Sequence, residues 1–253
     1  MNRLRIIPYA VYPADFNMAA DEAIMSCQGT VLRFYGWTRP TLSFGRNETG
    51  LDAIDLESCR RHQIDWVKRL TGGKTVLHQH ELTYSISGDI DAFSPSILQT
   101  YHMISHPLSQ ALQQSGVQAA VAPRQQRKLK SSICFEEVSA YEIAVNGKKL
   151  VGSAQYRKSD RFLQHGSILD DLDWELWKQV WKIPSRSSLL ERRITTYRQE
   201  TGTELDMARF CELFAEKLAT SLGLSPVIED FTIDEIKQIE VLLQNYRRTD
   251  DVF

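Results

Sequence analysis

A glycine pair flanked by two cations, Gly72-Gly73 between Arg69 and Lys74, is the first feature of this sequence that could do chemistry. Glycine lacks the Cβ atom that would hold a ligand away, so the backbone here can approach a polar group closely. Peptide N–H groups and the cations would then bind a carbonyl oxygen or a phosphate. The alternative is a plain glycine turn between two strands. The flanking cations, with His78 four residues beyond Lys74, favour a binding site.

A second segment places a cation at the head of a predicted strand. Lys149 is followed by the small residues Gly152, Ser153 and Ala154, which cannot fill the space on one side of a sheet. A cation above such a space suits a polarised carbonyl or a phosphate. Side chains alternate along a strand, so one of Lys149 and Lys148 should face inward.

Strand periodicity does not choose between these two lysines. In a regular strand Lys149 shares a side with Val151 and Ser153, whereas Lys148 shares a side with Gly152. Each side therefore carries at least one of the small residues. The choice stays open on this ground.

The lone thiol of Cys134 lies between the two segments and is the candidate nucleophile. It follows a basic stretch, residues 124–130, in which four of the seven side chains are positive. Such charge favours a thiolate and could attract an acidic partner protein. The alternatives are a buried apolar cysteine and a solvated loop. Because Cys134 lies just before the hairpin that carries Lys149, thiol and cation together predict acyl transfer.

Polar residues also interrupt a later predicted strand, at residues 164–167. Such a run is unusual unless it lines a site, so His165 and Gly166 are predicted to face a ligand. The alternative is a β-bulge at Gly166, with His165 hydrogen-bonded within the protein. His78 and His80 share one side of a strand, but no further His or Cys cluster lies nearby, so we predict no metal site.

The composition is that of an ordinary globular chain, with 253 residues, 42% hydrophobic, 25% charged and a net charge of −2. It lacks the basic excess of a nucleic-acid-binding protein. No run of about 18 apolar residues could span a membrane, and Pro8 interrupts any signal-peptide core. Cys27, Cys59 and Cys211 fall in helical patterns without CxxC spacing, which indicates free thiols in a reducing cytoplasm.

Periodicity predicts an α/β domain in which strands and helices mix and a helical part follows. Predicted helices cover residues 17–28, 52–62, 94–116, 174–181, 207–222 and 232–246. Predicted strands cover residues 31–37, 41–46, 65–69, 74–88, 117–122, 141–145, 148–154 and 162–169. Ser94 is predicted to cap the third helix, with Pro95 at its first position. We predict a single domain, residues 1–253, with a helical C-terminal subdomain from about residue 205.

Together these motifs resemble the biotin/lipoate protein ligase and octanoyltransferase superfamily. The resemblance covers NMAADEA (17–23), LRFYGW (32–37), PTLSFG (40–45) and residues 69–85, 148–157 and 163–169. It implies a class II synthetase-like fold, with a mixed, largely antiparallel sheet flanked by helices and a helical C-terminal part. Within the superfamily the chain looks most like the cysteine-dependent octanoyltransferases of the LipM type.

That resemblance implies an enzyme that moves octanoyl from acyl carrier protein to a lysine of a lipoyl-accepting protein, such as glycine-cleavage H protein. Cys134, followed by Phe135, matches the family's nucleophile, and Lys149 matches the lysine of its GKKxxGSA stretch. The predicted substrate-binding residues are Arg69, Gly72, Gly73, Lys74, His78, Gly152, Ser153, Ala154, His165 and Gly166. The resemblance also implies a monomer in the cytoplasm that needs no cofactor, since octanoyl is carried covalently on Cys134.

The implied reaction has two steps, in which the Cys134 thiolate takes octanoyl from the carrier and then passes it to the acceptor lysine. Lys149 and peptide N–H groups near Gly72-Gly73 would stabilise the oxyanion. The basic stretch 124–130 would dock the acidic acyl carrier protein.

An apolar tunnel is expected for the acyl chain, with Leu77, Val151 and Leu163 as wall candidates. Burial of the carbons beyond the carbonyl would contribute about 5 kcal/mol, at ~0.8 kcal/mol per methylene. The base that deprotonates the thiol stays open between His78, His165 and the surrounding positive charge.

Three alternatives to this activity stay open. An ATP-dependent lipoate ligase typically has three glycines in the first motif and an Asp after its histidine, where this chain has Lys74 and Gln79. Ligases also tend to carry an accessory C-terminal domain or a partner subunit, and little chain remains for one after about residue 225. The others are a non-catalytic protein that binds lipoylated partners and an amidotransferase that moves octanoyl or lipoyl between carrier proteins.

Overall fold

The computed structural model describes residues 3–48, 52–122, 142–182 and 191–247. Its strands are β1 (Arg3–Tyr12), β2 (Thr30–Trp37), β3 (Thr41–Phe44), β4 (Asp65–Lys68), β5 (Val76–His78), β6 (Glu81–Asp89), β7 (Ala120–Val121), β8 (Ile143–Val145), β9 (Lys148–Lys158), β10 (Arg161–Leu169) and β11 (Ser225–Ile228). Its helices are α1 (Ala14–Met25), α2 (Leu56–Arg61), α3 (Ile90–Phe93), α4 (Ile97–Gln114), α5 (Trp174–Val180), α6 (Tyr197–Thr201), α7 (Met207–Leu222) and α8 (Ile233–Tyr246).

The main sheet has eight strands in the order β11-β1-β2-β6-β10-β9-β8-β7. Its first three strands are parallel to one another, and every later pair is antiparallel. A smaller sheet has the order β4-β3-β5, with one parallel and one antiparallel pair. The prediction of a mixed, largely antiparallel sheet with flanking helices is therefore confirmed.

The two faces of the main sheet differ in what covers them. Helices α4 and α7 pack together and bury one face in the largest apolar cluster, where Phe214 meets the rings of Phe34 and Tyr84 edge-on. Helix α1 covers the opposite face and packs against α8. Strand β2 is buried on both faces, so Arg33 and Tyr35 lie beneath α1 instead of facing solvent.

The start of α4 corrects the prediction that Ser94 caps it. The cap is Ser96, whose hydroxyl accepts a hydrogen bond from the Gln99 backbone N–H at 3.3 Å. Ser94 lies in extended backbone and its own hydroxyl accepts from the Ser96 N–H at 3.1 Å. The helix therefore begins at Ile97, after the second serine, and Pro95 lies before it.

Strand β1 was not predicted, because Pro8 and the half-exposed residues after it break the alternation. It pairs in parallel with β2 on one side and with β11 on the other. The segment from residue 205 thus adds an edge strand to the main sheet as well as two helices. No helix in the described ranges combines the length and the apolar character needed to cross a membrane.

Candidate active site

An inner cavity lies between the main sheet and the smaller sheet, below α1. Its empty volume is about 380 Å³, which includes solvent space at its mouth. The described residues that line it are Met18, Tyr35, Trp37, Ser43, Arg69, Val76, His78, Thr83, Gly152, Ser153, Ala154, His165, Gly166 and Ser167.

Seven of the predicted substrate-binding residues line this inner cavity, although they come from segments far apart in the chain. They are Arg69, His78, Gly152, Ser153, Ala154, His165 and Gly166. Gly72, Gly73 and Lys74 belong to the loop beside it. The predicted nucleophile Cys134 lies outside the described residues, and so does the basic stretch 124–130. Their roles stay predictions.

Arg69 shapes the glycine loop from within. Its guanidinium is buried and donates to the backbone carbonyls of Gly72 and Lys74, at 2.9 and 2.7 Å. It also donates to the Ser43 carbonyl at 2.5 Å and to the Thr71 hydroxyl at 3.2 Å. These bonds explain why an arginine lies here, because one planar guanidinium can serve several acceptors at fixed angles.

The glycines of this loop have different physical roles. Gly73 has a φ of +90°, which favours glycine. Its carbonyl oxygen would lie 1.9 Å from a Cβ on Gly45, so the two backbones approach closely. Gly72 has open space where a Cβ would lie. The ammonium of Lys74 has no hydrogen-bond partner among the described residues.

His78 is held between a carboxylate and a hydroxyl. Its Nδ1 lies 2.6 Å from Oε1 of Glu81, and its Nε2 lies 2.7 Å from Oγ of Ser43. With both ring nitrogens engaged, His78 is fixed in orientation. His80 is exposed, and the described residues contain no cluster of three His, Cys, Asp or Glu side chains suited to a metal.

His165 joins the glycine loop to helix α1. Its Nε2 lies 2.6 Å from the Thr71 hydroxyl and its Nδ1 lies 3.4 Å from Oδ2 of Asp21. Burial lowers the pKa of His165, as do the charges of Arg69 and His78, although Asp21 acts in the opposite direction. The neutral imidazole is thus the favoured form, and the predicted alternative of a histidine hydrogen-bonded within the protein describes these contacts.

No β-bulge lies at Gly166, because β10 pairs without a register break with both of its neighbours. A glycine is needed at position 166 because of the packing around it. A Cβ there would lie 2.6 Å from Oγ of Ser153 and 2.6 Å from the ring of Tyr84.

A buried network around Asp21 supports the cavity and was missed from the sequence. Arg33 donates to Asp21 at 3.0 Å, and the hydroxyls of Tyr35 and Ser85 donate to the same carboxylate at 2.9 and 2.8 Å. Burial alone raises the pKa of Asp21, but the bond from His165 and the charge of Arg33 outweigh it, so the pKa is lowered. The sequence signal for this network was Arg33, a charged residue within an otherwise apolar strand. If both faces of that strand are covered, the buried guanidinium requires a partner.

Lys149 faces inward, and Lys148 is partly exposed. Lys149 is only 1% exposed, and its ammonium lies 2.5 Å from Oε1 of Glu142. Its backbone N–H and carbonyl bond to the carbonyl of Arg193 and the N–H of Thr195.

A β-bulge corrects the expectation that Lys149 shares a side with Val151 and Ser153. Ile143 pairs with Val151, but Ala144 pairs with Lys149, so β9 has one extra residue between these pairs. Paired residues share a face and successive residues alternate. Lys149 therefore lies on the face opposite Val151, which is the face that carries Gly152, Ala154 and the inner cavity.

The three predicted wall residues of an acyl tunnel do not line the inner cavity. Val151 belongs to the apolar cluster on the opposite face of the sheet, and Leu77 packs into the core beneath the smaller sheet. Leu163 is buried but is likewise not among the described lining residues. The alternation of β5 instead turns Val76 and His78 towards the cavity and Leu77 away from it.

The cysteines outside the predicted site are poor nucleophiles. Burial, with the neighbouring Glu235, raises the pKa of Cys27 to about 12, and burial raises the pKa of Cys211 to about 12. Cys59 is a buried core residue. All three are free thiols, which agrees with their interpretation as structural residues.

Comparison with known proteins assigns the chain to a family. The model of the lipoyl protein ligase A/B catalytic domain matches residues 13–219. The chain therefore belongs to the lipoyl protein ligase A/B catalytic domain family, as the sequence motifs predicted.

Similar curated proteins narrow this class to the octanoyltransferases named LipM. The chain is 32% identical to octanoyltransferase LipM of Carboxydothermus hydrogenoformans, covering 98% of this chain and 97% of that protein. It is 36% identical to octanoyltransferase LipM of Kyrpidia tusciae, covering 97% of both. A crystal structure of lipoate-protein ligase A bound with ATP has a TM-score of 0.79 at 20% identity and covers 96% of this chain and 95% of the ligase. That likeness shows the fold alone.

Proposed function

We propose that this chain is an octanoyltransferase that moves octanoyl from acyl carrier protein to a lysine of a lipoyl-accepting protein, such as glycine-cleavage H protein. The observation that carries the proposal is the placement of Lys149. Its buried ammonium lies on the cavity face of the main sheet, at the head of the strand whose Gly152 and Ala154 line the inner cavity.

The spacing along β9 supports the inner cavity as the site of the acyl chain. Gly152 and Ala154 follow Lys149 by three and five residues, which correspond to ~10 and ~17 Å along a strand. An extended octanoyl chain is comparable in length to the shorter distance. A carbonyl held beside Lys149 would therefore direct its tail over Gly152 into the cavity. Polar side chains that line the cavity are hydrogen-bonded within the protein, many of them to residues behind the lining, which suits an apolar tail.

The proposed reaction has two balanced steps. The Cys134 thiolate attacks the thioester carbon of octanoyl-acyl carrier protein, a new C–S bond forms, and the carrier leaves as its thiolate. The neutral amine of the acceptor lysine then attacks the enzyme thioester, an amide bond forms, the amine loses a proton, and the Cys134 thiolate leaves. In both steps Lys149 stabilises the negative oxygen of the tetrahedral intermediate, a role for which one donor typically contributes ~3 kcal/mol.

This route needs no nucleotide and no bound cofactor. Exchange of one thioester for another is nearly level in free energy, and conversion of a thioester to an amide runs downhill. A ligase that begins from a free fatty acid must first activate the acid. We also propose that one copy of the chain suffices, in the reducing cytoplasm where Cys134 stays a free thiol.

The acidic acyl carrier protein would dock on the basic stretch 124–130. Reversal of its four positive charges should slow acylation by the carrier. Acylation by a small octanoyl thioester, which needs no docking, should keep its rate. If the carrier acylates the charge-reversed chain as fast as the original chain, the stretch 124–130 has no docking role.

Intact mass measurement tests the proposed function. The protein is incubated with octanoyl-acyl carrier protein and no nucleotide, and we expect a mass gain of one octanoyl group. Cys134→Ala should gain nothing, whereas the matched variant Cys211→Ala should be acylated like the original chain. Addition of apo glycine-cleavage H protein should then move the group to the acceptor as an amide.

Other outcomes point to other functions. Acylation that requires ATP and free octanoate would indicate a ligase. Acylation by octanoyl-H protein but not by the carrier would indicate an amidotransferase. Binding of lipoylated partners with no covalent gain would indicate a non-catalytic protein.

A further inference from the structure

Helix α8 packs against α1, the helix that covers the inner cavity. Three alanines of α1, Ala19, Ala20 and Ala23, form a buried cluster with Ile239 of α8, and their small side chains let the two helices approach closely. One turn away on α1, Met18 lines the inner cavity. The position of α8 therefore affects the part of the cavity wall that α1 supplies.

Tyr246, the last residue of α8, connects this helix to α1 in two ways. Its hydroxyl donates to Oε2 of Glu22 in α1 at 2.6 Å. Its ring packs against an apolar cluster that includes Met18 and Tyr35, both of which line the inner cavity. Tyr246 therefore belongs to the layer of side chains next to the cavity wall.

The surroundings of the Tyr246 hydroxyl keep it a hydrogen-bond donor. Burial raises the pKa of Tyr246, and the nearby Glu22, Asp21 and Tyr156 act in the same direction. A protonated hydroxyl that donates to a carboxylate forms a charge-assisted hydrogen bond, which is stronger than a neutral one. Asp21 also accepts from Tyr35 at 2.9 Å. The same stretch of α1 thus carries the bond to α8 and the buried network beside the cavity.

The start of α8 is fixed by separate contacts. Thr232 and Glu235 form a capping box there, and two nitrogens of Arg5 each lie 2.6 Å from an oxygen of Glu235. The thiol of Cys27 also donates to Glu235, at 3.0 Å. These contacts do not involve Tyr246, so its loss should loosen α8 from α1 only at the end that lies next to Met18.

We propose that Tyr246 is a positioning residue that holds α1 against the inner cavity and so keeps water away from the acyl group bound there. The inference rests on the proposed function, because it takes an octanoyl thioester on Cys134 as the group to be protected. Hydrolysis is the competing reaction. Water attacks the thioester carbon, a C–O bond forms, the C–S bond breaks, and octanoate, a proton and the free thiol result. Exclusion of water from the site suppresses this loss.

The lifetime of the acyl-enzyme tests this role. The chain is acylated with octanoyl-acyl carrier protein, the carrier is removed, and loss of the octanoyl mass is followed with no acceptor present. In Tyr246→Ala we expect hydrolysis at least about tenfold faster than in the original chain, which corresponds to ~1.4 kcal/mol in the barrier.

Leu242→Ala is the matched control on the same helix. Leu242 packs against the alanine cluster of α1 but not against the cluster that contains Met18. Its substitution should lower the stability of the fold and leave the lifetime of the acyl-enzyme unchanged. Equal shortening of the lifetime in Leu242→Ala and Tyr246→Ala would assign the effect to general stability and overturn the proposal.

Conservative variants separate the hydrogen bond from the packing. Tyr246→Phe keeps the ring and loses the bond to Glu22, so hydrolysis should accelerate by a smaller factor than in Tyr246→Ala. Glu22→Ala removes the same bond and should match Tyr246→Phe. Glu22→Gln should keep the original lifetime, because its amide oxygen can still accept from the hydroxyl. These variants are read in the same way if circular dichroism shows that Tyr246→Ala is unfolded.

Hydrogen exchange tests the position of α1 without any transfer chemistry. The backbone amides of residues 17–22 should exchange faster in Tyr246→Ala than in the original chain or in Leu242→Ala. If octanoyl-acyl carrier protein does not acylate the original chain but this contrast holds, the proposed function fails and the positioning role stands. If folded Tyr246→Ala and Tyr246→Phe keep the original thioester lifetime and the original exchange rates, Tyr246 does not hold α1 in place.

Discussion

The ammonium of Lys149 lies 2.5 Å from the carboxylate of Glu142, and the β-bulge in β9 places Lys149 on the cavity face of the main sheet. Both side chains are buried. This contact fixes the ammonium in position, where it can meet a developing oxyanion without reorganising. The pair also links the site to the stability of the fold.

Lys149→Met should therefore lower both activity and stability. Loss of one oxyanion donor typically reduces the rate by about 10²–10³. Loss of one partner of a buried ion pair should cost about 3–5 kcal/mol in the free energy of unfolding, because Glu142 keeps a buried charge. Acylation rates by intact mass and urea unfolding curves measure the two effects. Lys148→Met, at the partly exposed neighbour, should change neither.

A double variant separates the two roles of Lys149. Lys149→Met with Glu142→Leu removes both charges of this pair, so much of the stability should return. Octanoyl transfer should stay low, because the cation is still missing. Recovery of transfer together with stability would mean that Lys149 acts only through the fold.

The lowered pKa of His165 predicts a loss of stability as the medium becomes acidic. A histidine whose pKa in the folded state lies below its unfolded value, about 6.5, stabilises the fold fully above that pH and less as the pH falls. The free energy of unfolding should thus decrease between about pH 7 and pH 5.5. In His165→Gln this slope should flatten, whereas the exposed His106→Gln should keep it. A slope unchanged in His165→Gln would assign the acid sensitivity to other groups.

Glu235 ties α8 to β1 and gives a second, more acidic transition. Its two oxygens each lie 2.6 Å from a nitrogen of Arg5. Burial alone raises the pKa of Glu235, but the bonds from Arg5, Cys27 and the Thr232 backbone lower it to about 2. The carboxylate therefore stabilises the fold above its unfolded pKa of about 4.3, and this stabilisation is lost as the pH falls towards 2.

Glu235→Gln should accordingly reduce the free energy of unfolding at neutral pH by roughly 2–3 kcal/mol and remove the acidic transition. Urea unfolding at several pH values measures this. Glu229→Gln is the control, because Glu229 forms an exposed pair with Arg3 at 3.5 Å. Its removal should change stability by less than about 1 kcal/mol. Equal effects of the two variants would contradict the role of the buried pair.

The close approach of Gly45 and Gly73 predicts opposite results for two alanine substitutions. In Gly45→Ala the new Cβ would lie 1.9 Å from the Gly73 carbonyl oxygen, so the glycine loop must move. We expect a loss of about 1–3 kcal/mol or more in stability and a marked loss of octanoyl transfer. Gly72→Ala has open space around its Cβ and should stay folded. Thermal unfolding of both variants checks the contrast, which a stable Gly45→Ala would contradict.

Most of the helices and strands were predicted from local sequence patterns. Helix α7 has the predicted bounds, and the strands on either side of Asn146-Gly147 form the predicted hairpin, because periodicity and turn residues act over short distances. Strand β1 escaped detection since its pattern is broken by Pro8 and is completed only by its two partner strands. Ser96, not Ser94, is the N-cap of α4. Both serines fit the local preference for serine at a helix N-cap, so the sequence alone did not distinguish them.

By itself the sequence determined the family, the sheet class and the two segments with small residues and cations, since residue types and short spacings carry that information. Only the tertiary structure decided which face Lys149 occupies, because one extra residue at a β-bulge reverses the alternation on which a sequence argument depends. It likewise decided that Glu81 contacts both Trp37 and His78. Contacts between distant strands depend on register and packing that no local pattern encodes.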